Sequence, residues 1–378
     1  MKEITSIIHA YNEAQQQGQQ TALATVVHVQ GSSYRQPGAR MLITQDGRLT
    51  GAISGGCLEG DALRKALLVM ARQQPMLITY DTTDEDDARL GVGLGCEGII
   101  HIMIEPIDAQ QPHNPIELLK AITAQRQKAV LAVLFSLNDR KGVQPGTCLL
   151  QLENGHVLGA ADRDGLLPHM QSVFDNQVSA IKTYAGYTAF LQYIEPAVSL
   201  VIIGAGNDAI PLTQMAQIMG WQITVADGRR GYATRERFPA AHQLLFTKPG
   251  QVVEQVSIDD QTVFVLMTHN YHYDMEVLKQ LMTRNIRYVG MLGPRKKLVR
   301  MMEELQVDEL PNVYSPVGLN IGAETAEEIA LAIMAEIKAV FSGRSGQFLR
   351  DSTDTIHPRQ NQQYEHHHTG GGGLHAPR

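Results

Sequence analysis

The segment VIIGAGNDAIPLTQMAQIMGWQITVAD, residues 201–227, sets the architecture of the C-terminal half. Val198, Leu200, Val201, Ile202 and Ile203 form a short apolar run rich in β-branched residues, the signature of a buried strand. Gly204 to Ala209 follow as a G-x-G-x-x-A loop, with Gly206 as its second glycine and Asp208 just before the alanine. A helical stretch runs from Ile210 to Met219 and Gly220 ends it; Pro211 fits a first turn, where a missing N–H costs nothing. Gln222 to Ala226 reads as a second strand with Asp227 at its end, 23 positions after Gly204. Strand, glycines, helix, strand and acid in this order match the dinucleotide-binding fingerprint: glycines for a tight turn, a helix start for phosphate, an acid for the ribose hydroxyls. Gly204, Gly206, Asp208 and Asp227 are therefore candidate cofactor-binding residues. A Rossmann unit with an altered or empty nucleotide site satisfies the same pattern.

Downstream, Arg229 and Arg230 follow the acid, placed either for a 2′-phosphate or as an ordinary basic turn. Thr262 to Met267 is an apolar strand that ends at Thr268-His269-Asn270-Tyr271-His272-Tyr273-Asp274. Ligands of open α/β sheets bind at the carboxyl ends of strands, so this loop, His269 in particular, is well placed. His269, His272 and Asp274 fit no standard zinc spacing, and contact to a ligand or a helix cap suits them better. Tyr288 to Met291 is a further strand, followed by Gly293-Pro294-Arg295-Lys296-Lys297 at a helix start. Cations there oppose the helix dipole, so Gly293 and Arg295 join the candidates for anion binding, against a plain solvated basic face. Thr325 with Glu328 makes a capping box for a helix from Ala326 to Phe341.

The N-terminal half reads as mixed α/β. A helix ends near Gly18, Thr21–Gln30 and Met41–Thr44 are strands around the turn-rich loop Gly31–Arg40, and Asp46-Gly47 marks a hairpin leading to a strand over Leu49–Ile53. Gly55-Gly56-Cys57 then opens a helix that carries Leu58, Ala62, Leu63, Ala66, Leu67 and Met70 on one side. A thiol at a helix start is favoured as thiolate by the dipole, whereas Glu59 and Asp61 act against it, so the sequence leaves the sign open. A strand over Met76–Tyr80, the acidic loop Asp81–Asp87 and the run Leu90–Gly98 follow; the last holds Cys96 among four glycines, either a corner between strands or a second ligand-facing loop. Ile116–Gln127 reads as a helix, Ala129–Ser136 as a strand, Thr147–Leu158 as a hairpin around Asn154-Gly155 with Cys148 in the core, and Gly159–Gln192 as a helix with a short extended piece.

The whole is an α/β chain of 378 residues in two expected domains, a mixed α/β domain over residues 1–195 and a Rossmann-like, doubly wound parallel sheet over 196–345. Residues 346–378, with His366–His368 and four consecutive glycines, read as a disordered tail. A net charge of −7 offers no basic face for nucleic acid. No apolar run reaches the roughly 18 residues of a membrane helix, and the N-terminus lacks a signal-peptide core, which points to the cytoplasm. Three cysteines without a C-x-x-C pair speak against a disulfide framework or a structural zinc site, and no metal site is assigned.

Together, GSSYRQPGARM (31–41), GAISGGCLEGD (51–61), GLGCEG (93–98), VIIGAGNDAIPL, VADGRRGYATRERFP, MTHNYHYD, YVGMLGPRKK and SPVGLNIGAETAEEIALAIMAEI resemble the XdhC/CoxI family over residues 1–345. These are accessory proteins for xanthine dehydrogenase and related molybdenum hydroxylases. The resemblance implies a chaperone that binds the molybdenum cofactor (molybdopterin) as cargo, keeps it fit for sulfuration and hands it to an apo-hydroxylase. It implies no xanthine dehydrogenase activity, since the chain lacks iron–sulfur cysteine spacing. It also suggests a homodimer, and a cysteine desulfurase as a further partner. On this reading Cys57 contacts the metal or receives a persulfide sulfur, with Cys96 as its neighbour and Gly55 and Gly56 letting the ligand approach. Glu97 departs from the small residue many relatives carry. Two rivals use the same residues: an NAD(P)-dependent oxidoreductase built on Gly204, Gly206 and Asp227, for which no Tyr-x-x-x-Lys pair is evident, and a non-catalytic nucleotide-binding scaffold with structural cysteines.

Overall fold

In the computed structural model, which describes residues 1–81, 98–159 and 165–352, the chain divides between Pro196 and Ala197 into two units. The N-terminal unit begins with α1 (Lys2–Gln16), β1 (Thr21–Gly31), β2 (Arg40–Thr44), β3 (Leu49–Gly51), α2 (Glu59–Arg72), β4 (Met76–Asp81) and β5 (Gly98–Pro106). It continues with α3 (Pro115–Ala124), β6 (Ala129–Phe135), β7 (Gly146–Leu152), β8 (Val157–Gly159), α4 (Leu166–Asn176), β9 (Ala180–Thr183) and β10 (Thr188–Ile194). The strands form two antiparallel sheets, ordered β3-β2-β1-β5-β4 and β8-β7-β6-β10-β9.

These are two copies of one pattern: helix, three strands, helix, two strands, with the same strand order. Local chemistry repeats as well. Gly51 and Gly159 end the third strand of each copy with φ +89° and +118°, and a side chain at either would collide with the carbonyl of Arg40 or Cys148 on the neighbouring strand. Only glycine fits such a left-handed, close-approach position.

Each sheet is covered outside by its own helix. Ala62, Ala66, Val69 and Met70 of α2 pack on Ala22, Ala24, Val26, Ile102 and Ile104. Leu166, Met170 and Val173 of α4 pack on Val130, Ala132, Ala189 and Leu191. The inner faces meet through Val27, Leu77 and Met103 against Val133, Phe135 and Phe190, while α1 and α3 close the flank on Leu23, Leu42, Leu131 and Leu150. Full burial of one such side chain contributes about 2 kcal/mol. Two expectations shift here. The short extended piece expected before Gln192 is β10, a central strand paired with β6 over seven positions. The helix expected to Gln127 stops at Ala124, where Gln125 turns extended.

The C-terminal unit holds β11 (Ser199–Ile203), α5 (Ala209–Ile218), β12 (Gln222–Asp227), β13 (Gln243–Phe246), β14 (Thr262–Leu266), α6 (Tyr271–Leu281), β15 (Tyr288–Met291), α7 (Arg295–Leu305), β16 (Val313–Tyr314) and α8 (Ala326–Ser342). All neighbouring strands are parallel, in the order β13-β12-β11-β14-β15-β16. This is the doubly wound dinucleotide-fold order, reversing between β11 and β14. β11 and β14 are buried throughout, as both faces are covered. α5 and α8 pack on one face through Leu212, Ala216, Ile333 and Ile337. α6 and α7 take the other, through Val277, Leu278, Leu281 and Met301. The Thr325–Glu328 capping box starts α8 as expected. α6 starts at Tyr271, a turn before the expected Met275, because the Asn270 side chain accepts from the Tyr273 amide.

The acidic loop beyond Asp81, the glycine run with Cys96 and Glu97, and the tail beyond Ser352 lie outside the described residues. Among the described residues, no helix is long and apolar enough to cross a membrane.

Candidate functional site

The antiparallel order of the first sheet gathers its connections. The β1–β2 loop, the segment leaving β3 towards α2, and the ends of β4 and β5 all lie at one end of the sheet, with Gly31 opposite Gly98 and Met41 opposite Gly51. The motif segments around Tyr34 and Cys57 thus emerge together.

Cys57 sits two residues before α2, half-buried and unpaired as a free thiol, with its side chain against the α2-side core. Ser54 Oγ accepts from the Gly56 and Leu58 amides, both at 3.1 Å, and lies 3.4 Å from Cys57 Sγ. The Ser54 hydroxyl donates to Glu59 Oε2. Glu59 also accepts from the amides of Ser54 (2.8 Å), Ile53 (3.3 Å) and Leu58 (3.1 Å). Burial pushes the Glu59 carboxyl up, but these bonds outweigh it and hold it below its ordinary value. The Glu59 carboxylate is thus folded back onto the amides of the segment that leads into α2. Beside them, no described residue lies within 4 Å of where a Gly56 (φ +114°) side chain would stand, and the exposed Tyr34 ring lies 3.6 Å from where a Gly55 side chain would stand.

In the C-terminal unit, Gly204 has φ +113°, and a side chain there would come within 2.5 Å of the Met267 carbonyl. The loops after β11 and β14 are thereby held together. At Gly206 a side chain would collide with the Asp208 carboxylate, which folds back over the loop. Asp208 Oδ2 is 3.0 Å from His269 Nε2, and His269 is held at φ +57°. Asp208 Oδ1 is buried with no hydrogen-bond partner among the described residues. Arg237 braces the same loop, donating to Ala205 O (2.6 Å), Tyr232 O (2.8 Å) and Asn207 Oδ1 (2.9 Å).

Asp227 faces protein donors. Its Oδ2 accepts from the Ala205 amide (2.7 Å) and Arg229 Nη2 (2.8 Å), and its Oδ1 from the Arg229 amide (2.7 Å) and Arg229 Nε (3.0 Å). Burial raises its carboxyl and these bonds lower it further, so it stays ionised below the usual range. Arg229 also stacks on the Tyr232 ring at 3.8 Å, while Arg230 is exposed.

At the start of α7, Gly293 has φ +124° and Arg295 is exposed. Lys297 points inward: its Nζ donates to Asp274 Oδ2 (2.6 Å) and the Leu292 carbonyl (3.1 Å). This removes Asp274 from the metal-ligand reading, since it is fully buried and also accepts from Thr268 Oγ1 at 2.7 Å. Among the described residues, no group of three or more His, Cys, Asp and Glu side chains is placed to hold a metal ion. The structure thus brings Gly204, Gly206, Asp208 and His269 together, and Asp227 with Arg229. It places Gly55, Gly56 and Cys57 in a loop of their own. Sequence reading missed Ser54, Glu59 and Arg237 as partners; a serine five positions before the first helical glutamate is the one signal it offered.

The C-terminal unit is defined by this geometry as a Rossmann-type domain, preceded by a duplicated α/β unit with a cysteine loop. Residues 200–337 match the XdhC Rossmann domain and residues 14–81 the XdhC and CoxI family. The chain belongs to the XdhC and CoxI family. It is 33% identical over 321 residues to a Bacillus subtilis protein named as a probable xanthine dehydrogenase subunit, covering 84% of this chain and 92% of that one. It is 25% identical over 333 residues to the molybdenum cofactor insertion chaperone PaoD of Escherichia coli, covering 87% and 86%. A crystal structure described as a xanthine dehydrogenase from Bacillus halodurans superposes with a TM-score of 0.75 at 29% identity, over 92% of this chain and 98% of the other.

Proposed function

We propose that this chain is an accessory protein that binds the molybdenum cofactor as cargo, holds it while its terminal sulfur is installed, and delivers it to an apo molybdenum hydroxylase. The observation that carries the reading is the free, half-buried Cys57 thiol beside Gly56, where no described residue would meet a side chain, in a family with a relative named as a cofactor insertion chaperone. Thiolate is a soft ligand suited to a metal–sulfur centre. Tyr34 gives the loop an exposed aromatic wall against which a flat ring can stack. A cysteine desulfurase is the sulfur source on this reading, and a cytoplasmic homodimer the working assembly.

The oxidoreductase reading is less well supported. A dinucleotide's ribose would compete with four donors already on Asp227, and its phosphates would meet the Asp208 carboxylate over Gly206. The exposed Arg230 and Arg295 remain available for an anionic group of the cargo or a nucleotide.

The test is cofactor retention. Purified protein is mixed with freshly released molybdenum cofactor and desalted, and bound molybdenum and pterin are quantified for wild type and Cys57→Ala. Near-stoichiometric binding that falls in the variant supports the reading. Absence of binding by wild type removes it and directs attention to nucleotide titration of the Rossmann unit.

A further inference from the structure

We propose that Glu3 is a positioning residue: from α1 it fastens the β1–β2 loop and so fixes the Tyr34 ring beside the cysteine loop, where that ring receives the flat pterin part of the cargo. The inference rests on the cargo reading and goes beyond it, to a residue that touches no cargo yet sets how tightly the pterin is held.

Tyr34 stands between β1 and β2 with 68% of its surface exposed. A ring so exposed draws little order from its own packing, so its place depends on the backbone to either side. Two anchors flank it. Towards β1, Ser32 passes so close to Gly98 of β5 that a side chain at Gly98 would collide with the Ser32 carbonyl. Towards β2, Arg35 Nη2 donates to Glu3 Oε2. Among the described residues the Arg35 guanidinium has no other partner, and its Nε is buried and unbonded. Without Glu3, the residue next to Tyr34 has nothing to hold it.

The other carboxylate oxygen completes the bridge. Glu3 Oε1 accepts from the Arg40 amide at 2.9 Å. Arg40 opens β2 and is itself locked, donating to the Gly38 carbonyl (3.0 Å) and Gln192 Oε1 (2.6 Å). One carboxylate thus ties the neighbour of Tyr34 to the fixed start of β2. It is delivered from a firm base, since Ile4, Ile7 and Tyr11 seat α1 in the core. The Glu3–Arg35 pair is partly covered on both sides, unlike a fully solvated surface pair, which contributes little. The Tyr34 ring is thereby presented against Gly55, two residues before Cys57. An aromatic wall already in place binds a flat ring without the entropy cost of ordering it first.

The experiment has two arms on the full-length protein. In the first, without cargo, tyrosine is replaced by 3-fluorotyrosine and followed by fluorine NMR, with the Tyr34 and Tyr11 lines identified by their loss in Tyr34→Phe and Tyr11→Phe. Glu3→Ala and Arg35→Ala are each expected to narrow the Tyr34 line and move it towards free 3-fluorotyrosine, leaving Tyr11 in place. A merely structural role, in which α1 is unseated, would move Tyr11 as well. In the second arm, freshly released molybdenum cofactor is added, the mixture desalted and bound pterin quantified. The protein concentration for half retention should rise about tenfold in Tyr34→Ala, the loss of one aromatic stack. It should rise comparably in Glu3→Ala and Arg35→Ala, and no further in Glu3→Ala/Tyr34→Ala, because Glu3 acts through Tyr34. If Glu3→Ala does not fold, Arg35→Ala decides. An unmoved Tyr34 line, or wild-type retention in Glu3→Ala and Arg35→Ala while Tyr34→Ala is impaired, overturns the proposal and leaves the cargo reading standing. Failure of the cargo reading looks different: wild type itself retains no pterin, and the grip assigned to Tyr34 falls with it.

Discussion

Gly38 and Gly146 occupy equivalent places in the two copies of the N-terminal unit, 108 positions apart, and each faces the last strand of the other copy. Gly38 (φ +97°) lies against the Gln192 side chain of β10, and Gly146 (φ +79°) against the Glu105 carboxylate of β5. One position of each exchange is then used for a polar bond: Arg40 Nη2 donates to Gln192 Oε1 at 2.6 Å, and the Thr147 amide and hydroxyl donate to Glu105 at 2.6 and 2.7 Å. The two sheets are locked by this reciprocal pair of contacts in addition to their apolar seam.

Gly38→Ala and Gly146→Ala are each expected to destabilise the N-terminal unit by about 1–3 kcal/mol. Part is the left-handed backbone, about 1 kcal/mol, and the rest the displaced Gln192 or Glu105 side chain. Urea titration of the purified variants checks this. Equal stability of both variants with wild type would mean that the exchange contributes nothing.

A histidine pair sits in the same unit. His28 and His101, paired across β1 and β5, are both 2% exposed with ring centroids 5.3 Å apart. His101 Nδ1 meets Thr79 Oγ1 at 3.0 Å, and His28 Nδ1 has no hydrogen-bond partner among the described residues. Burial pushes both below the ordinary histidine value, His101 down to about 4, with His28 and Arg140 adding to the effect on His101. The unfolded chain then binds more protons than the folded one below the ordinary value of about 6.5. Stability contributed by the neutral pair is present above that pH and is lost as pH falls towards 4. Urea midpoints measured at about pH 7.5 and pH 5 should fall with acid in wild type. They should fall less in His101→Gln; an equal drop in both would place the acid sensitivity elsewhere.

The Rossmann unit was readable because its signals are local: an apolar run, glycines, a helix ended by glycine and an acid follow one another within residues 198–227. The duplication was not, because what repeats is strand order and glycine geometry, not side chains. Arg40 shows the difficulty. It stands at the end of a turn-rich loop, yet it is 2% exposed, and its partner Gln192 lies 152 positions away. Burial pushes its guanidinium down to about 10, with Glu3 and Glu105 acting against that. The role of Asp227 was half readable. Its position at the end of β12 was evident, but its occupation by Ala205 and Arg229 depends on rotamers that no spacing encodes.

Asp227→Asn is expected to cost about 1.5–3 kcal/mol near neutral pH, because one acceptor oxygen and the charge opposite Arg229 are lost together. The carboxyl is held below its unfolded value, so its contribution is present above about pH 4 and disappears as pH falls through the folded value. The gap between wild type and variant in urea midpoint should therefore close in acid. A gap that persists at the acid end of the titration would show that shape, and not charge, accounts for it.

Lys297 and Asp274 join α7 to α6 by an ion pair of 2.6 Å, with Asp274 fully buried and Lys297 only 16% exposed. Lysine at a helix start suggests a docking anion, and here the anion is internal. Lys297→Met would leave Asp274 buried and charged without a cationic partner, a loss of about 3–5 kcal/mol. Adding Asp274→Leu should restore most of that, because a buried pair replaced by apolar groups of similar volume is often neutral. Thermal melts of the two single variants and the double variant decide it. If the double variant is no more stable than Lys297→Met, the cost comes from the Leu292 carbonyl, which loses its donor in both variants, and not from the unpaired charge.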